Sequence, residues 1–358
     1  MDPAPRIEAR WLVLAVGVLL AGVPDVDARI GAAVPTRFVK STDVVPRRQW
    51  NANDGYCGET SFISAGMRFG QYCSQFTARS IASPGVPQSL AESQLLLGVN
   101  DIAAARAMRL EAVPFYDATE RSVAAFSSWV KSNVAGGRAV IIGVLNNVRA
   151  LDEPLPGDHL YDHIVPVLSV GSRWSLDGAH RDRARPSDVV TFSDNGLYGP
   201  IDDPPIRPMV FSYRLGRFPR TRAAANRPDG VIYALRDRPP SYGVAISGIV
   251  DLDRVTIPVR LTSDLDGEPE MAHHSDVPPP PVPMRLTARV TIPDQRIAYR
   301  LYRYDDFAKV PAASFNASAD RAVQVWEIPA GVGPEFVVEL ATTSDATVVL
   351  RAVPQSAP

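Results

Sequence analysis

A chain of 358 residues with 46% hydrophobic and 21% charged residues has ample material for one or two folded cores and too much for a disordered protein. Its 37 basic and 39 acidic residues leave a formal charge of −2, without the basic surplus that nucleic-acid binding requires, so no nucleic-acid partner is expected. The 33 prolines favour loops and short strands over long helices.

In chain order, the first residues have the pattern of an export signal. Arg6 and Arg10 precede an apolar run from Trp11 to Val23, and "VDA" ending at Ala28 has the small-residue form of a cleavage site. The run is short for a membrane span, which needs about 20 apolar residues. Residues 1–28 are therefore expected to be a signal peptide, with an uncleaved N-terminal membrane anchor as the alternative. Removal would leave basic and acidic residues in equal number and no stable membrane span, and would place the protein outside the cytoplasm, secreted or periplasmic.

Residues 29–238 read as an α+β domain. A helix is expected from about Tyr56 to Phe69, followed by short helices in "PQSLAESQLLLG" and "NDIAAARAMRL", the latter capped by Asn100 or Asp101. "EAVPFYD" predicts a strand, and "ATERSVAAFSSWVKSNVAGG" an amphipathic helix ending near Gly136. Three apolar runs of strand length follow: "RAVIIGVL", "HIVPVLSV" and "DVVTFSD". After "RDRPPSYG" the pattern changes. Residues 239–358 hold seven candidate strands and no convincing helix, which predicts an all-β, sandwich-like C-terminal domain. Such a domain would suit attachment to a surface or a protein ligand.

The chain has two cysteines, Cys57 and Cys73. A mostly helical stretch between them would hold them about 24 Å apart, far beyond the roughly 7 Å between Cα atoms that a disulfide tolerates. Cys57 sits in "NDGYCGETS", at the expected first turn of a helix, where free backbone N–H groups and the helix dipole favour a thiolate. Gly55 and Gly58 would leave room for a substrate backbone. A thiolate nucleophile needs a base and a group to orient it. His163 opens an apolar strand and is the leading base, with His159 in reserve; His180, His273 and His274 lie in polar loops. Asp194 and Asn195, at the end of the next strand, are rival orienters. Gln49, eight residues before Cys57, could donate to an oxyanion.

The order of "QWNANDGYCGETS", "WVKSNVAGGRAVIIGV", "DHIVPVLSV" and "VVTFSDNG" resembles the papain-like cysteine peptidase fold, closest to the peptidase C39-like family, over residues 49–200. The resemblance implies Cys57 as nucleophile, His163 as base, Asp194 as orienter and Gln49 as oxyanion donor. It implies a peptide or amide substrate and hydrolysis, with a thiol acyltransferase or a non-catalytic exported binding or adhesion protein as alternatives. The sequence departs from the family in Glu59, after Cys-Gly, and in the charged insert "DGAHRDRARPSD" between His163 and Asp194. Glu59 is expected to face backbone N–H groups, and the insert to be an exposed loop.

No Gly-rich phosphate loop or zinc-spaced cluster occurs, so no cofactor and no metal are expected. "DLDGEPE", residues 264–270, lacks calcium-loop spacing and is expected to be a solvated loop.

Overall fold

Four apolar runs, at residues 139–146, 163–172, 189–193 and 243–249, build the central sheet of the protein. A computed structural model describes residues 36–116, 122–146, 160–197, 210–218, 233–236 and 240–355. The expected signal peptide and His159 lie outside the described residues. The chain is α+β, as expected. Strands β1 (Phe38–Ser41), β3 (Leu110–Pro114), β4 (Ala139–Asn146), β5 (His163–Ser172), β6 (Val189–Ser193), β7 (Val210–Arg214), β8 (Tyr233–Ala234) and β9 (Gly243–Ile249) form one antiparallel sheet. Its order is β3-β9-β4-β5-β6-β7, with β1 on β5 and β8 on β4.

Helix α1 (Cys57–Arg68) packs on β4 and β5. Alternation along a strand sends alternate side chains to opposite faces. Ala139 and Ile141 of β4, Ile164 of β5 and Val244 and Ile246 of β9 thus share a buried cluster with Phe62, Ile63 and Met67 of α1. Helix α4 (Val123–Ala135) is capped by Ser122, whose hydroxyl accepts the Ala125 N–H, and brings Phe126 and Trp129 against Gly243. With helices packed on it, β5 is buried along most of its length, which explains its unbroken apolar sequence.

The seven strands expected after residue 238 all form, but they do not stay together. The first is β9, which lies between β3 and β4 in the central sheet. The expected boundary at 238/239 therefore runs between strands of one sheet. The others divide into a three-stranded sheet, β10 (Val259–Ser263), β11 (Pro283–Thr291) and β14 (Glu335–Thr343), and a four-stranded one. The latter has the order β13 (Gln324–Ile328), β12 (Tyr299–Tyr304), β15 (Val348–Pro354), β2 (Gln71–Tyr72), so its edge strand comes from just after α1. Leu261, Leu286 and Val290 of one sheet, and Leu301, Val348 and Leu350 of the other, join the same buried cluster as α1.

Two helical expectations shift. "PQSLAESQLLLG" holds only a short 3-10 turn, Ala91–Ser93, whereas an unexpected helix α2 (Gln75–Ala82) forms just upstream, capped by Ser74. Helix α3 (Asp101–Ala107) forms as expected; its flanking Asn100 uses Oδ1 to accept the Leu96 N–H outside the helix. The charged insert is exposed over residues 177–183, as expected, and is anchored at its far end. Lys131 of α4 and Asp188 pair at 2.8 Å with both side chains buried, and Ser172 of β5 donates to the other Asp188 oxygen at 2.7 Å. Among the described residues no helix is long and apolar enough to cross a membrane.

Candidate functional site

Cys57 is the first residue of α1, half-buried, after a loop in which Asn53, Asp54 and Gly55 all have positive φ. Such a run is costly for non-glycine residues and needs outside support. Arg79 of α2 supplies it. Its Nη1 donates to the Asn53 and Gln88 carbonyls at 3.0 and 3.2 Å, its Nη2 to the Gly55 carbonyl, and its plane lies 3.5 Å from the centre of the Tyr56 ring. Its charge is met by Glu59, which accepts from Arg79 Nε at 2.6 Å and from the Leu95 N–H at 3.0 Å. Glu59 therefore turns inward to a buried ion pair, and the backbone N–H that it meets outside its own helix is that of Leu95. Burial pushes the Glu59 carboxyl up, against the pull of Arg79.

Gly58 has a different reason from the one expected. A Cβ there would lie 1.9 Å from the Leu95 carbonyl oxygen, so the glycine makes room for the protein's own backbone. The loop at 264–276 is also not simply solvated. It pairs Gly267 with Arg48, its Glu268 accepts the Gln75 N–H at 2.9 Å, and the Met271 side chain packs with Trp50 and Tyr56. Glu268 is buried and its carboxyl is pushed up to about 8 by desolvation, with Arg47 opposing.

Asp194 and Asn195 link the other three residues singled out in sequence, His163 through its ring and Cys57 and Gln49 through their backbones. No hydrogen bond among the described residues joins the imidazole to the Cys57 thiol. His163 begins β5, buried, with its ring stacked on Tyr233. Its Nε2 lies 2.8 Å from the backbone carbonyl of Asp194. A carbonyl only accepts, so Nε2 carries the proton and Nδ1 holds the lone pair. The imidazole contact thus comes from the Asp194 main chain. One Asp194 carboxylate oxygen accepts the Gly196 N–H at 2.8 Å and shapes the turn in which Asn195 has φ +56°.

Asn195 is fully buried, and its amide nitrogen donates to the Ser61 hydroxyl, the Ile164 carbonyl and the Cys57 carbonyl at 3.0, 3.1 and 3.3 Å. Two carbonyl acceptors fix which end of the amide is nitrogen. Asn195 therefore ties the first turn of α1 to β5, a positioning role in place of a contact to the imidazole. Its own carbonyl accepts the Gln49 N–H at 2.9 Å. Gln49 is buried with Oε1 unpartnered among the described residues, and its Nε2 would lie 3.6 Å from a Cβ on Gly55.

The electrostatics differ from the thiolate expected at a helix start. Burial pushes the Cys57 thiol up to about 12, and the Glu59 carboxylate adds to that. Donors at Ile164 N–H and Gly58 N–H, and the Arg79 charge, pull the other way without overcoming it. Burial likewise pushes His163 down to about 4, against the Asp194 carbonyl and Asp162. At neutral pH the site holds a thiol and a neutral imidazole. Cys73 is a second free thiol, buried, with its pKa raised mainly by desolvation. Sequence reasoning did not single out Arg79, Tyr233 or Tyr161, a half-buried phenol whose pKa is raised by burial and then by the nearby Cys57.

No protein-family model, curated protein or solved structure matches this chain.

Proposed function

We propose that this chain is an exported cysteine hydrolase of papain-like design, with Cys57 as nucleophile and His163 as base. What carries the reading is one arrangement. The Ile164 N–H is near enough to the Cys57 sulfur to favour its thiolate, and the residue before Ile164 is a histidine whose Nε2 proton is committed to the Asp194 carbonyl. The imidazole is thereby left in the tautomer whose Nδ1 can take a proton.

The reaction follows from the neutral pair. As the sulfur attacks an amide carbonyl, the thiol proton passes to His163 Nδ1, and a thioester forms once that proton is delivered to the departing amine. Water then attacks the thioester and gives its proton to the imidazole, which returns it to the departing Cys57 sulfur as the acid is released. Gln49 Nε2 is the candidate donor to the oxyanion. An amine in place of water would make the same chemistry an acyl transfer. The sheets β10-β11-β14 and β13-β12-β15-β2 serve in this reading as a sandwich-like unit for a surface or protein ligand, and residues 1–28 as the export signal.

A second reading, an exported binding protein that keeps the architecture without turnover, is favoured by the neutral state of both groups. One experiment separates the two. The chain from residue 29 is incubated with a peptide-amide library, and Cys57 alkylation by iodoacetamide is followed from pH 5 to 10. The hydrolase reading expects cleavage that falls by at least about a thousandfold in Cys57→Ala and in His163→Ala, and alkylation at neutral pH that slows in His163→Ala. Absence of cleavage, with alkylation that rises only above pH 9 and ignores His163→Ala, establishes the binding protein.

A further inference from the structure

Helix α1 ends at Arg68, and beyond its last turn an open cleft of about 600 Å3 lies between β9, the start of β10 and β15. Its lining combines Arg68, Arg254, Arg260 and Arg351 with the apolar side chains of Phe69 and Ile249. Eleven helical steps of about 1.5 Å put it roughly 16 Å from Cys57, so it is separate from the site above.

The charges in this cleft do not cancel. Glu111 and Asp251 are the carboxylates of its lining, and Asp43 stands behind Arg260, paired with it at 2.8 Å. Four guanidiniums therefore face three carboxylates. Asp43 also supports the charge of Arg68, whose pKa is nevertheless lowered, by burial first and by Arg260 as well. One carboxylate thus serves two cations. Arg68 donates through Nη2 to the Gly137 carbonyl at 2.6 Å, while its Nη1 is buried with no partner among the described residues.

Arg351 is 1% exposed and bonds neutral acceptors: Gln71 Oε1 at 2.9 Å and the Leu350 and Phe69 carbonyls at 2.8 and 3.4 Å. Its Nε is buried without a partner. Asp251 offsets part of its charge from a distance, and one Asp251 oxygen is occupied by the Thr256 N–H and hydroxyl. A buried donor left unpaired costs about 1–3 kcal/mol, more for a charged group.

We infer that this cleft binds a small organic monocarboxylate, its anionic head among the guanidiniums of Arg68, Arg254 and Arg260 and its apolar body along Phe69 and Ile249. One net positive charge matches one carboxylate. The planar guanidinium fork matches its two oxygens, and the apolar lining selects against a bare inorganic anion.

The test is calorimetric titration of the chain from residue 29 with hexanoate, hexanol and inorganic phosphate. Hexanoate should give saturable one-to-one binding, hexanol and phosphate at least tenfold weaker binding. Arg68→Gln and Arg260→Gln should each weaken hexanoate, Arg68→Gln by about tenfold or more, and Cys57→Ser should leave it unchanged. Arg260 is half-exposed with a surface ion pair, so Arg260→Gln decides the matter if Arg68→Gln fails to fold. Hexanol binding as tightly as hexanoate, phosphate binding more tightly than either, or no saturable hexanoate heat up to about 10 mM would overturn the assignment. So would hexanoate affinity unchanged in the arginine variants.

Discussion

At its first turn, α1 holds Cys57 among groups that are matched to one another. Glu59 has Arg79, the Arg79 guanidinium has the loop carbonyls, and the Asn195 amide nitrogen has three acceptors. At its last turn the same helix presents Arg68 to an open cleft whose guanidiniums outnumber its carboxylates. The Cys57 end also keeps buried atoms without partners among the described residues, Gln49 Oε1 and Asn195 Oδ1, but they sit within a cluster that the chain otherwise pairs, whereas Arg68 lines an open cleft. A polar cluster closed on itself maintains a shape, whereas an open one has free energy to gain from a partner.

The comparison breaks first at Glu59. Glu59→Gln leaves the Arg79 charge buried without its counter-ion, and breaking such a pair costs about 3–5 kcal/mol. Urea unfolding should show that loss, with faster proteolysis in the 53–57 loop. A change below about 1 kcal/mol would mean that the ion pair does not brace the Cys57 end.

The next effect is on acid stability. His163 has its folded pKa at about 4, below the ordinary value of 6.5. The unfolded chain therefore takes up the proton first. The stability from this residue is complete above pH 6.5 and is lost as pH falls towards 4, by roughly 3 kcal/mol at 1.36 kcal/mol per pH unit. His163→Gln should flatten the fall in unfolding free energy across that window. An identical slope in both proteins would contradict a buried neutral imidazole.

The smallest effect sharpens the other end. Arg260→Gln removes an exposed ion pair, and its stability should change by less than about 0.5 kcal/mol. A clear thermal destabilisation would show that this end, too, is closed by its own contacts.

Much of the frame was legible in sequence. The runs "AVIIGVL", "HIVPVLSV" and "VVTFS" became β4, β5 and β6, and they put His163 and Asp194 at one edge, because strand-length apolar runs report burial directly. Helix α2 was not legible: its sequence, QFTARSIA, buries Arg79 while Phe76 is only partly covered, an inversion that exists because Glu59 waits opposite. The Glu268 loop failed for the same reason, since a carboxylate reads as solvated until its partners are known. The role of the Asp194 main chain left no mark in residue type, because any residue has a carbonyl there. The place of β9 was hidden because its pattern shows that it is a strand, not which strands it joins.

That place has a consequence during synthesis. Strand β3 is joined to the rest of its sheet through β9, which leaves the ribosome about 130 residues later. At translation rates of about 5–20 residues per second, β3 waits on the order of ten seconds for its partner. For most of that interval, once residues 139–146 are made, the β4 edge that β9 will occupy, "AVII", is open and apolar. The nascent chain is most exposed to aggregation then, and a chaperone that shields a single short strand would protect it best.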